Sequence, residues 1–488
     1  MIGLAHLGGP IACFGLALLL VAKTRRDRIA GLGFAGFGAC VLGAAVAPTR
    51  PVELLGGVFA ALALGLGLAI AFRRVPWLFP VLALACIPLR IGVHVGHSSS
   101  KLLLPLYVVI LGATILLAWD LVAGNNRVRE LRAVAWPLAV YLVWTGISIS
   151  WSRDVREGAI ELLAFYLPFT LLTLGIARLP WSKLGLRALY VEITLMAVAF
   201  AAVGFYQYDT RNIFENPKLG VSNAYAPFFR VNSVFWDPSV YGRFLVVAMA
   251  PSILLIVLGR SLRLSLAATA VLGVTWLGLL ISFSQSSFAA LLVVVIGAAF
   301  VAWRWRALIA VVLAFAVLAG IAVAQPQIRR SLQHHTTSGL NSASSGRASL
   351  VANGIRIAIA HPVRGVGVGG FKRAYADRVH LKGKDPKTAA SHDTPVTVAA
   401  ETGLPGLLLF GWLLVAVFRQ AFRRAGKVGL VSGLALAAIF CHSLFYNAFF
   451  EDPMTWMLFG LVALASPLLV PVMRVERHSV EPKEVVPV

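Results

Sequence analysis

Apolar residues run along this chain in long blocks closed by short clusters of Arg, Lys, Gly and Pro, with no sustained period-2 alternation that would mark strands. The blocks lie at about 4–22, 29–46, 54–71, 76–90, 102–122, 134–150, 160–178, 188–206, 243–259, 266–282, 285–303, 307–324, 395–418, 429–449 and 453–473. A helix that crosses the hydrocarbon core needs about 20 mostly apolar residues. The pattern therefore predicts an all-α, polytopic integral membrane protein with about 12–15 transmembrane helices. The block at 76–90 is short for a span and is expected to be re-entrant or interfacial.

Composition agrees. Of 488 residues, 59% are hydrophobic and 13% charged, and the mean hydropathy is +0.83, which leaves no room for a large soluble domain. The net charge of +23 would suggest nucleic acid in a soluble protein, but in a membrane bundle Lys and Arg first set orientation, so no nucleic-acid partner is expected. Alternate connections collect Lys23 to Arg28, Arg73 and Arg74, Arg127 to Arg132, Lys183 and Arg187, Arg260 and Arg263, Arg304 and Arg306, and Arg419 to Lys427. That side is expected to be cytoplasmic, with the first span retained and its N-terminus outside. The chain then divides into N-terminal helices (1–206), central helices with a first long extracytoplasmic loop (207–324, loop 207–242), a large basic extracytoplasmic loop with short helices (325–394), C-terminal helices (395–473) and a polar, disordered cytoplasmic tail (474–488). Cys13, Cys40, Cys86 and Cys441 sit in apolar stretches without metal-ligand spacing and read as small hydrophobes.

The candidate chemistry gathers in the two outer loops. The second carries Arg329, Arg330, Arg347, Arg356, Arg364, Lys372, Arg373, Arg378, Lys382, Lys384 and Lys387 against Asp377, Asp385 and Asp393. Attraction to anionic headgroups would account for such an excess; so would a site for a phosphate-bearing, membrane-embedded substrate, since guanidinium groups match phosphate oxygens. Arg347 opens an amphipathic stretch, Ala348 to Ala360, and a helix N-terminus there would favour phosphate; the alternative is a capping or snorkelling arginine. Gly365-Val366-Gly367-Val368-Gly369-Gly370-Phe371 lacks the strand-turn-helix surroundings of a dinucleotide fingerprint and reads as a tight turn, with Lys372 and Arg373 beside it. Ser391-His392-Asp393-Thr394 closes the loop, and His392 is a candidate general base for an acceptor hydroxyl. Glu401 lies within the next apolar segment, either orienting His392 or an arginine, or anchoring the loop. The first loop ends with Arg230 and Phe235-Trp236-Asp237-Pro238-Ser239-Val240-Tyr241-Gly242-Arg243, aromatic and charged groups suited to sugar and phosphate. Ser282-Phe283-Ser284-Gln285-Ser286-Ser287 forms a polar hinge, and Asn447, Glu451, Asp452 and Trp456 cluster near the end of the chain. Adjacent acids can hold a divalent ion, but no Asp-X-Asp or Glu-X-Asp occurs in the early outer loops, so neither metal nor cofactor is expected.

Taken in order, Arg230, Phe235 to Gly242, the Ser284 hinge, Gly346-Arg347, Pro362 with Gly365 to Phe371, and His392 with Glu401, Gly403 and Gly406 resemble the O-antigen ligase and O-antigen polymerase family over roughly residues 200–465. The resemblance implies a GT-C-like bundle in the bacterial inner membrane with its active site facing the periplasm. It implies inverting, metal-independent transfer of a glycan from a polyprenyl (undecaprenyl) diphosphate donor to a glycan or glycolipid acceptor. By that likeness Arg347 and Arg230 grip the diphosphate and His392 activates the acceptor, with Arg243, Lys372 or Arg373 as diphosphate-binding substitutes for an Arg missing at Gln285, and Asp237, Gln285, Asp393 and Glu401 in support. Gln285 stands where the family often has Arg, and Asp393 where Asn is common. A secondary transporter or permease for an anionic solute is the alternative from another class; it predicts ionisable groups and broken helices near the bilayer midplane.

Overall fold

A computed structural model describes residues 2–46, 51–95, 98–127, 130–214, 216–225, 228–259, 261–306, 309–310, 313, 347–380, 390–423 and 426–464. In chain order the elements are α1 (Ile2–Val21), α2 (Arg25–Val46), α3 (Pro51–Arg74), α4 (Leu78–Ala85), β1 (Ile91–Val95), β2 (Ser98–Leu102), α5 (Leu104–Val122), α6 (Ala135–Ser148), α7 (Val155–Glu161), α8 (Leu167–Arg178), α9 (Lys183–Thr210), α10 (Pro217–Tyr225), α11 (Pro238–Leu258), α12 (Leu262–Ser282), α13 (Gln285–Trp303), α14 (Arg347–Ala360), α15 (Phe371–Arg378), α16 (Thr394–Arg423), α17 (Gly426–Ser443) and α18 (Pro453–Val462). Among the described residues, 12 helical segments are long and apolar enough to cross a membrane. The chain is a polytopic membrane bundle.

Differences from the hydropathy blocks have local causes. The block at 76–90 yields only α4 of 8 residues, because Pro88 halts the helix and the chain turns into an antiparallel hairpin pairing Ile91 with Leu102. This hairpin is the one strand pair among the described residues. The block at 160–178 starts earlier, since Asp154 caps α7 by accepting from Glu157 N–H at 3.1 Å, and a π turn over Leu162–Tyr166 joins it to α8. Most of the block at 307–324, all of the basic loop before Arg347, residues 381–389 and the tail lie outside the described residues.

Contacts sort the helix ends into two groups. At one end, Arg28 is 1% exposed and its Nη2 pairs with Glu130 Oε1 at 2.8 Å. The same oxygen takes Arg178 Nη1 at 2.6 Å, and Arg178 Nη2 lies 3.6 Å from Asp120 Oδ2. Arg28, which patterns as an orientation signal, and Arg178 thus lock α2, α5 and α8 together through shared carboxylates. At the other end, Gln207 on α9 donates to Ser233 O at 2.9 Å, and the starts of α11, α14 and α16 come together. Between the ends, Tyr141 stacks on Phe450 with ring centroids 5.0 Å apart, and Tyr166, Phe410 and Trp456 complete a buried aromatic core.

Candidate active site

His392 owes its position to its neighbours in sequence. Asp393 is the N-cap of α16, its Oδ1 accepting from Val396 N–H at 2.9 Å. Ser391 Oγ donates to Asp393 O at 2.8 Å and lies 2.8 Å from Thr397 Oγ1. With both flanks pinned, the residue between them is forced to a φ of +66°, in the left-handed region, where a non-glycine residue is held only when its surroundings over-determine it. The imidazole is half-buried and its centroid lies 6.3 Å from the ring of Tyr446.

Three groups far apart in sequence share the neighbourhood of this ring. Burial pushes the His392 pKa below the ordinary 6.5, the positive charge of Arg347 pushes it further, and Asp237 opposes both. Arg230 is lowered by burial, and it senses Asp237 and Arg347 as well. The site is therefore a cation pair, a carboxylate and a neutral imidazole set at the N-termini of α11, α14 and α16, whose dipoles add positive potential. Asp237 is the N-cap of α11, accepting from Ser239 N–H at 2.7 Å. Arg230 is held by Asn223, which accepts its N–H at 3.1 Å and donates to its carbonyl at 2.9 Å. The Nε of Arg230 donates to Ser282 O at 3.2 Å, which joins the site to the serine hinge. In that hinge Ser284 Oγ lies 2.8 Å from Ser287 Oγ, while Gln285 is exposed at the start of α13.

The other candidates lie elsewhere. Arg243 is 4% exposed, and its Nε pairs with Asp452 Oδ2 at 2.8 Å. The guanidinium expected to meet the diphosphate thus faces a buried carboxylate through its Nε. Asp452 in turn caps α18. Arg373 donates to Arg153 O at 3.4 Å, and Lys372 acts electrostatically on Glu157; both sit on α15 beside the α6–α7 turn. Glu401 accepts from Phe371 N–H at 3.2 Å and so anchors the loop; no hydrogen bond joins it to His392 among the described residues.

The glycine run explains how the anchor works. α16 breaks at Gly403, where φ is +71°, and the carbonyls of Ala400 and Glu401 accept from Val366 and Gly367 N–H at 2.9 and 2.8 Å. On its other side the run meets the α6–α7 turn: Val368 N–H donates to Ser148 Oγ at 3.1 Å and Arg153 N–H to Val366 O at 2.9 Å. A Cβ on Gly367 would lie 2.2 Å from Ser152 Cα, so only glycine lets the two backbones approach.

Residues missed in the sequence are Tyr446, Asp452 as a partner of Arg243, and His442, which is fully buried and lies 3.1 Å from Ser239 O through Nε2. A histidine inside an apolar span was the available signal.

No curated protein matches the chain. A family model described as O-antigen ligase matches residues 268–411. The match takes in the serine hinge, Arg347, the glycine run, His392 and Glu401, while Arg230 and Asp237 fall before it and join the site only through the fold. Over residues 268–411 this membrane protein is accordingly similar to the O-antigen ligase family.

Proposed function

We propose that the protein is a membrane glycosyltransferase that moves a glycan from a polyprenyl-diphosphate carrier to an acceptor hydroxyl, with inversion and without a metal ion, as an O-antigen ligase or a polysaccharide polymerase. What supports this most is the juxtaposition of Arg347, Arg230 and Asp237 around one half-buried, neutral histidine. The basic connections gather at the opposite end of the bundle, which supports an extracytoplasmic site in the inner membrane.

A ring nitrogen of His392 takes the proton of the acceptor hydroxyl as its oxygen attacks the anomeric carbon. The bond from that carbon to the diphosphate oxygen breaks on the opposite face, and the electron pair leaves with polyprenyl diphosphate. Arg347 and Arg230, with the helix N-termini, meet the charge that develops on the leaving group. A neutral imidazole is the form that accepts a proton, so the depressed pKa suits this role.

The test is transfer by purified protein from a polyprenyl-diphosphate glycan to extracted envelope lipids, for wild type, His392→Ala and Arg347→Ala, with and without EDTA. Carrier release coupled to transfer, lost in both variants and indifferent to EDTA, is expected; the product mass then separates ligase from polymerase. Full activity in His392→Ala overturns the assigned base.

A further inference from the structure

At the end of the bundle remote from His392, a groove of about 420 Å³ opens between α9, α11 and α17. Its wall is apolar, built from side chains such as Ile193, Val247, Leu254 and Ala435, and the ring of Pro251 inside α11 adds to it. No Asp or Glu lines the groove. Apart from Tyr190 and Ser432 the interior offers a polar solute few partners, which favours hydrocarbon as its contents.

Its mouth is different. Lys183, Arg187 and Lys427 lie there, all three exposed, and none pairs with an acid among the described residues. From Leu258 at the mouth to Val247 inside, at about 1.5 Å of rise per residue, the groove runs about 17 Å along α11. That is about the depth of one leaflet, half of a hydrocarbon core of about 30 Å. The three cations therefore stand at headgroup depth above a slot one leaflet deep.

We propose that this groove binds an anionic phospholipid, one acyl chain in the slot and the phosphate at Lys183, Arg187 and Lys427. Three cations with no acid in the groove's lining, among the described residues, select a headgroup with net negative charge over a zwitterionic one. The position at the far end of α9, α11 and α17 separates this lipid from any substrate at His392, so the inference stands apart from the transferase assignment.

Full-length protein in nanodiscs of equal phosphatidylglycerol and phosphatidylethanolamine, released into native mass spectrometry, reads the preference directly. Wild type is expected to retain about one phosphatidylglycerol. Each cation near an anionic headgroup contributes roughly a fivefold preference, so Lys183→Gln, Arg187→Gln and Lys427→Gln together lower it by on the order of 100-fold. These positions are exposed, so the fold is kept; Val431→Trp, which fills the slot, should remove the lipid while leaving the cations in place. Equal retention of the two lipids by wild type, undiminished preference in the triple variant, or a retained polyprenyl lipid or detergent in place of phospholipid each overturns the proposal.

Discussion

The Arg243–Asp452 pair offers a quantitative test of how the site is held. Both side chains are 5% exposed and meet at 2.8 Å, while Arg243 Nη1 has no hydrogen-bond partner among the described residues. Asp452→Asn keeps an oxygen to cap α18, where Asp452 Oδ1 now accepts from Met454 N–H at 2.9 Å, but leaves the guanidinium without its counter-charge. Stranding one member of a buried pair costs about 3–5 kcal/mol, against under about 1 kcal/mol for an exposed pair. Arg243→Met strands the carboxylate, which can take up a proton, so it falls at the lower end of that range. With both substitutions the site is uncharged, and the loss should be smaller than the sum of the single losses by about 2–3 kcal/mol. Equilibrium unfolding of the four proteins by SDS in mixed micelles measures this cycle. A cost below about 1 kcal/mol for Asp452→Asn, or strict additivity, would refute a structural pair and favour Arg243 as a ligand for a substrate anion.

Three further outcomes are expected. Removing the cation in Arg347→Gln lets the His392 pKa rise; since the base is active when neutral, the acid limb of the residual transfer rate, below 6.5 in wild type, should move to higher pH, and a limb that stays put dissociates Arg347 from His392. Glu401→Leu leaves Phe371 N–H unsatisfied and should cost about 1–3 kcal/mol in the same unfolding assay, whereas Glu401→Gln keeps an acceptor and costs less; a shifted pH profile in Glu401→Gln would instead make it an orienter of His392. Gly367→Ala, with φ at +84° and a Cβ placed 2.2 Å from Ser152 Cα, should sharply reduce folded yield, while Gly411→Ala, with nothing within 4 Å, should be neutral or stabilising by up to about 1 kcal/mol; equal yields would show that the glycine run is not wedged between α16 and the α6–α7 turn.

The run of apolar residues is enough to set the membrane class and most of the helices, because desolvating a backbone in hydrocarbon forces a long apolar segment to form a helix whatever its neighbours are. Sequence alone sets the chemistry of the Ser391-His392-Asp393-Thr394 corner as well, since a cap is a local interaction among adjacent residues. Tertiary structure decided which charges face one another. Arg230, Asp237, Arg347 and His392 meet because three helix starts converge, and nothing in their spacing along the chain encodes that convergence. Composition could not tell Arg243 from Arg230: both lie in the same motif, yet one turns inward to Asp452 and the other toward Arg347 and Asp237. Glu401 was likewise open between two roles until the broken turn at Gly403 brought the glycine run against it. Local polarity and propensity are readable residue by residue, whereas a buried charge takes its meaning from the partner that packing supplies.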